Sequence, residues 1–189
     1  MASDLGRALR RLKPQKLSGP LRARPPGELP FVDLAKPLPR NLLLDSTVYI
    51  DELQGCLPRD AETLLRASTL WHSPVTAAEL AVGIGHLDPG HPKTKGATAA
   101  ILQSIERRPH HRTLPPDAGV WVEAGLAAGI LARLQSYAGA DRGRLLNDAL
   151  ILFTAVKHGC TLLTRNTRDF GLLLQIAPAG RVLFYAAPI

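Results

Sequence analysis

The sequence predicts an α/β fold, a parallel sheet covered by helices on both faces, preceded by a basic, Pro-rich extension. Two observations carry the sheet. Short apolar runs of strand length recur through the chain, at Leu42–Leu44, Leu70–Val75, Thr161–Leu163 and Val182–Tyr185. Helical stretches separate them, as crossovers between parallel strands require. A third observation sets the first 40 residues apart. They hold seven of the 16 prolines and nine Lys and Arg against three Asp and Glu, so they carry +6 of the net +7, and the remaining 149 residues are nearly neutral.

Taken in order, residues 1–40 read as largely irregular. Leu5, Ala8, Leu9 and Leu12 fall at i, i+3, i+4 and i+7, which predicts one brief amphipathic helix before an extended linker. A domain spanning 41–189 follows. Leu42-Leu43-Leu44 is a buried-strand signal, and Asp45-Ser46-Thr47 suits the start of a helix running through Val48–Leu53. Asp60–Ser68 reads as a helix, Leu70–Val75 as a strand, and Thr76–Ile84 as a helix ending near Gly85. Residues 86–93 are a loop by composition. Thr94–Arg107 and Asp117–Tyr137 are longer helices, and Leu145–His158 is a strongly apolar one with Gly159 placed just past its end. Thr161–Leu163, a helix near Thr167–Gln175, and Val182–Tyr185 complete the chain, which has no internal repeat.

Simple counts exclude several classes. Cys56 and Cys160 are too few and too far apart for a zinc motif or a disulfide framework, which favours a reducing cytoplasm. The longest run of apolar residues and Gly, Ala124–Ala132, is far short of the roughly 20 that a membrane span needs. The start of the chain lacks the apolar stretch of a signal peptide. With nine Phe, Trp and Tyr in all, there is no stacking platform for single strands. Arg107-Arg108-Pro109-His110-His111-Arg112 reads as an exposed helix end. The stripe Trp121, Val122, Leu126, Ile130, Leu131 and Leu134 reads as core, part of which can face a second subunit or a partner.

Four acids stand out because each abuts an apolar segment: Asp45, Glu79, Asp148 and Asp169. Each has a structural explanation. Asp45 can cap the helix after its strand, Thr76-x-x-Glu79 and Asn166-x-x-Asp169 have capping-box spacing, and Asn147 or Asp148 can start the apolar helix. Together they say more. Asp45 and the Asn166/Asp169 turn directly follow strands, so both belong at the C-terminal edge of the sheet, where open α/β folds bind ligands. If Glu79 and Asp148 start helices on that side, four carboxyl groups converge. Gathered like charges repel, and a hard divalent cation such as Mg²⁺ or Mn²⁺ relieves the conflict. Metal-assisted phosphoryl chemistry is the natural use of such a site.

Those blocks, Leu44-Asp45-Ser46-Thr47, Thr76-Ala77-Ala78-Glu79-Leu80, Asn147-Asp148-Ala149-Leu150 and Thr164-Arg165-Asn166-Thr167-Arg168-Asp169-Phe170, resemble a PIN domain, and within that family the VapC-type toxins. The resemblance covers about residues 41–185. It implies a three-layer α/β/α sandwich and a Mg²⁺- or Mn²⁺-dependent endoribonuclease. Asp45, Glu79 and Asp148 match the three core acids. Many relatives have Asp where this chain has Asn166, so Asp169 is expected to supply the fourth carboxylate, with Thr164 and Asn166 hydrogen bonding around it. The expected partners are RNA, with tRNA-like substrates, a cognate antitoxin and a second copy of the chain; Arg165 and Arg168 are candidates for phosphate contacts. Two other readings stand beside the toxin: a PIN nuclease of RNA processing, and a non-catalytic binding module whose acids are caps. A haloacid-dehalogenase-like phosphatase needs Asp two residues after Asp45, where this chain has Thr47.

Overall fold

The structure, a computed structural model, describes residues 2–137 and 141–186, so the expected end of the domain at 189 lies outside the described residues. Four parallel strands form one sheet: β1 (Asn41–Leu44), β2 (Thr69–Trp71), β3 (Thr161–Thr164) and β4 (Val182–Phe184), in the order β2-β1-β3-β4. Leu42 stands opposite Thr161 and Leu44 opposite Leu163, with Leu163 opposite Leu183 one strand further. The helices are α1 (Ala2–Leu12), α2 (Ser46–Leu53), α3 (Arg59–Ala67), α4 (Pro74–Gly85), α5 (Thr94–Glu106), α6 (Ala118–Gln135), α7 (Arg142–His158) and α8 (Thr167–Ile176). Among the described residues no helix is long and apolar enough to cross a membrane.

Side-chain alternation along the strands divides the core. Leu43, Leu162, Val182 and Phe184 point into a cluster with the buried faces of α6, α7 and α8. Leu42, Leu44 and Leu163 point to the opposite face, against Val48 and Tyr49 of α2, Ala61 and Leu64 of α3, and Leu80 of α4. Two helical layers thus sandwich a sheet whose central strands are buried on both sides, which is why those strands are continuous apolar runs. Gly159 ends α7 with φ +66°. Cys160 N donates to Ala155 O at 2.9 Å and Gly159 N to Val156 O at 3.3 Å, the Schellman pattern that satisfies the last carbonyls and turns the chain into β3.

The sequence reading differs from the structure at Val75. It belongs to α4, which starts at Pro74 because Ser73 caps it, its Oγ accepting from Val75 N at 3.1 Å, and proline's fixed φ suits the first helical position. Trp121 is 49% exposed rather than core, whereas Ile130, Leu131 and Leu134 of the same helix are buried. Arg108 is half buried, its guanidinium 3.8 Å above the Tyr49 ring.

The N-terminal 40 residues are held against the domain. Ala8 and Leu12 of α1 are buried against α6, while Leu5 and Leu9 remain exposed. Arg11 pairs with Glu123 at 3.0 Å and lies over the Phe153 ring. Beyond α1 the strap is tied by side chains of the body: Arg133 donates to Pro14 O and Leu17 O, Gln135 to Leu21 O and Gln175 to Arg22 O. It then reaches the outer edge of β4, where Phe31 forms a parallel bridge with Phe184, the amides of Val32 and Phe184 donating to Phe184 O and Pro30 O at 2.8 and 2.9 Å. This contact covers backbone groups that an edge strand would otherwise leave open.

Candidate active site

The chain leaves β1 for α2 and returns through β2 before crossing to β3, so the strand order changes direction between β1 and β3. At that switch point the loops beyond adjacent strand ends diverge and open a crevice. Asp45 follows β1 directly, and Thr164 ends β3 ahead of the Asn166–Asp169 turn. Asp148 approaches from α7 and Glu79 from α4.

Capping does not account for these acids. Asp45 occupies the N-cap position of α2 but makes no capping bond; its Oδ2 instead accepts from Thr47 Oγ1 at 2.8 Å and from Thr164 Oγ1 at 2.6 Å. Thr76 is inside α4, and its hydroxyl donates to Leu44 O at 3.1 Å, so no capping box includes Glu79. Asp148 lies within α7, well past its first turn. Only the Asn166 turn is a cap in part: Asn166 Oδ1 accepts from Asp169 N at 3.1 Å.

Asp45, Asp148 and Asp169 are each at most 4% exposed. Asn166 Nδ2 lies between two of them, 3.1 Å from Asp169 Oδ2 and 3.4 Å from Asp148 Oδ2. Asp169 also accepts from Tyr137 OH at 3.2 Å and faces Arg144 Nη2 at 3.4 Å. Glu79 Oε2 is buried without a hydrogen-bond partner. Electrostatics reports their common neighbourhood. Burial above all, and then the charges of Asp45, Glu79 and Asp169, push the Asp148 carboxyl well above the ordinary carboxylate range. Burial and the Asp45 charge likewise raise Glu79, with Ser46, Asn147 and Arg144 opposing.

The donor set suits a hard divalent cation in kind: carboxylate oxygens, two of them on protonation-prone groups, and one oxygen left orphaned in the interior. Among the described residues, however, no three His, Cys, Asp or Glu side chains already stand close enough to hold an ion between them. The hydroxyls of Thr47 and Thr164, the Asn166 amide and the Arg144 guanidinium take up the carboxylate oxygens instead.

Of the two arginines singled out in the sequence, Arg165 is committed to a buried partner. Its Nε lies 2.9 Å from Asp51 Oδ2, which also accepts from Tyr185 OH at 2.7 Å. Arg168 extends over the Tyr137 ring, its guanidinium carbon 5.6 Å from the centroid. Sequence reasoning missed Asp51, Tyr137 and Arg144. Asp51, 1% exposed, lies between Ile50 and Glu52 on α2, and no local spacing marks it. Arg144 does carry one: it is a cation in the first turn of a helix with no acid there, against the helix dipole.

A parallel sheet between two helical layers with buried acids at its switch point places the chain among three-layer α/β/α proteins with an acidic crevice. The PIN domain sequence model matches residues 42–172, and the chain belongs to the PIN domain family. Similar solved structures include the DNA-bound VapBC complex of Salmonella typhimurium, at 22% identity over 76% of this chain and 96% of that one with a TM-score of 0.53. FitAcB from Neisseria gonorrhoeae is similar at 24% identity, 76% and 96% coverage and a TM-score of 0.51. VapBC-5 from Mycobacterium tuberculosis, of the VapBC family of toxin-antitoxin systems, follows at 21% identity, 77% and 99% coverage and a TM-score of 0.51. At these identities the likeness establishes the shared fold. A comparison with curated proteins gave no match. The family match begins at residue 42, so the strap lies outside it.

Proposed function

We propose that this PIN-domain protein is a Mg²⁺- or Mn²⁺-dependent endoribonuclease and the toxin of a toxin–antitoxin pair, acting in the cytoplasm as a homodimer restrained by a cognate antitoxin. The observation that carries the nuclease reading is the set of carboxyl groups at the β1/β3 switch point, among which burial and neighbouring acids raise Asp148 and Glu79 and one Glu79 oxygen is orphaned. The toxin assignment is drawn from the VapBC and FitAcB likenesses and from the resemblance of the acidic blocks.

In this reading Asp45, Asp148 and Asp169 hold the cation, and Glu79 holds the cation or an attacking water. When bound, a divalent ion makes water a usable nucleophile and stabilises charge on the phosphoryl oxygens. Thr47 and Thr164 orient Asp45 by donating to the same oxygen, leaving its Oδ1 for a ligand. Asn166 spaces Asp148 from Asp169 without adding a charge. Glu79, its carboxyl raised by burial and then by the Asp45 charge, is a more basic carboxylate than an exposed one and is suited to take a proton from an attacking water.

Incubating the purified protein with structured RNA, tRNA included, in Mg²⁺, Mn²⁺ or EDTA tests this directly. Cleavage confined to the metal-containing samples and lost in Asp148→Ala is the expected result; cleavage in EDTA refutes it. Growth arrest on expression, relieved by a co-expressed antitoxin, separates a toxin from an RNA-processing enzyme.

A further inference from the structure

Among the described residues Arg144 is a cation that faces the acidic site, through the buried Asp169. It stands in the first turn of α7, just after the N-cap Asp141, where the helix dipole disfavours a positive charge. Its side chain is 55% exposed, so it anchors nothing in the core. Its sole ion pair among the described residues is a single approach of Nη2 to Asp169 Oδ2 at 3.4 Å, and that oxygen already accepts from Asn166. Only the Arg144 end of this pair is exposed, Asp169 being buried, and a single approach at 3.4 Å is longer than a charge-assisted hydrogen bond. The other two arginines near the turn are engaged elsewhere, Arg165 with Asp51 and Arg168 with Tyr137.

We propose that Arg144 is the phosphate-anchoring residue of the site: it pairs with Asp169 while the cluster is empty, and when a divalent cation takes that carboxylate the freed guanidinium binds a phosphate oxygen of the RNA. This rests on the nuclease reading. The exchange is favourable in charge at each stage. The empty site has an excess of carboxylates and the half-exposed Arg144 guanidinium; the loaded site has an ion on the carboxylates and a guanidinium released toward the polyanion. A planar guanidinium matches two phosphate oxygens, which an ammonium cannot do with the same geometry.

The test uses the full chain and the variants Arg144→Gln and Arg144→Lys. Mn²⁺ binding without RNA is measured by calorimetry, and steady-state cleavage is measured with RNA. Removing the competing cation tightens Mn²⁺ binding about threefold or more in Arg144→Gln. Losing the phosphate contact raises KM about tenfold, with kcat within about threefold. Arg144→Lys, which keeps the charge but not the fork, falls between. An unchanged or weaker Mn²⁺ affinity in Arg144→Gln overturns the proposal, as does an unchanged KM. Arg144→Lys carries the same test if Arg144→Gln fails to fold. A wild-type protein that binds Mn²⁺ but never cleaves RNA refutes the nuclease reading instead, and the calorimetry still judges the competition for Asp169.

Discussion

Asp148→Asn should stabilise the metal-free protein while abolishing its proposed activity, and the stabilisation should depend on pH. Asp148 is 4% exposed, and its carboxyl is pushed well above the ordinary range first by burial and then by the charges of Asp45, Glu79 and Asp169. A carboxyl raised in the folded state keeps its proton where the unfolded chain has lost it. Stability is therefore greatest below the unfolded value of about 3.9 and falls as pH climbs through the folded value, at ~1.4 kcal/mol for each unit of separation. Asparagine avoids that loss and still offers Asn166 Nδ2 an acceptor where Asp148 Oδ2 now stands at 3.4 Å. The expected gain at pH 7.5 in EDTA is about 1–3 kcal/mol, or roughly 3–8 °C in Tm for a domain of this size. Near pH 3.5, where both side chains are neutral, the two proteins should melt together. Differential scanning calorimetry across pH 3.5–8 reads both limits. A variant less stable than wild type at pH 7.5, or a gain that persists undiminished at pH 3.5, would refute the argument from like-charge burial.

Three further outcomes follow from the packing. Asp51→Ala leaves Tyr185 OH without its acceptor and Arg165 without its ion-pair partner and should cost about 2–4 kcal/mol in denaturant unfolding; an unchanged midpoint would mean that these contacts contribute nothing. Gly180→Ala places a methyl group 2.9 Å from Leu152 Cδ1 and 3.1 Å from Leu174 Cδ2, so calorimetry should show a loss of about 1–3 kcal/mol. Removing residues 1–40 uncovers the surface under Ala8 and Leu12 and strips the Phe31 bridge from β4, which should cost roughly 3–5 kcal/mol in urea unfolding; a truncated protein as stable as the full chain would show that the strap is only laid on the surface.

The strands and the sheet were legible because buried parallel strands are continuous apolar runs, and Leu42–Leu44 and Thr161–Leu163 are that pattern in its plainest form. The four acids were legible for a related reason, since a charge set against such a run demands an explanation. Their context was not. The capping readings of Asp45 and Glu79 fail through contacts distant in sequence, Thr76 with Leu44 and Asp45 with Thr164, which no local spacing encodes, whereas the Asn166 cap stands. Val75 was misplaced because an apolar residue after a strand looks the same whether the chain extends or turns at Ser73-Pro74. The strap shows the same limit. Prolines spoke against regular structure after α1, and that segment has none beyond short turns, but its attachment depends on Arg133, Gln135 and Gln175, more than a hundred residues away.

In the proposed reading the carboxyl groups of Asp45, Glu79, Asp148 and Asp169 form a single cation site. Titrating Mn²⁺ into the RNA-free protein at pH 7.5, with Asp45→Asn and Asp148→Asn in parallel, tests it most directly. Saturable binding by wild type, weakened at least about tenfold in each variant, is the predicted result. Wild-type protein that binds no Mn²⁺, or equal binding in all three, would contradict it.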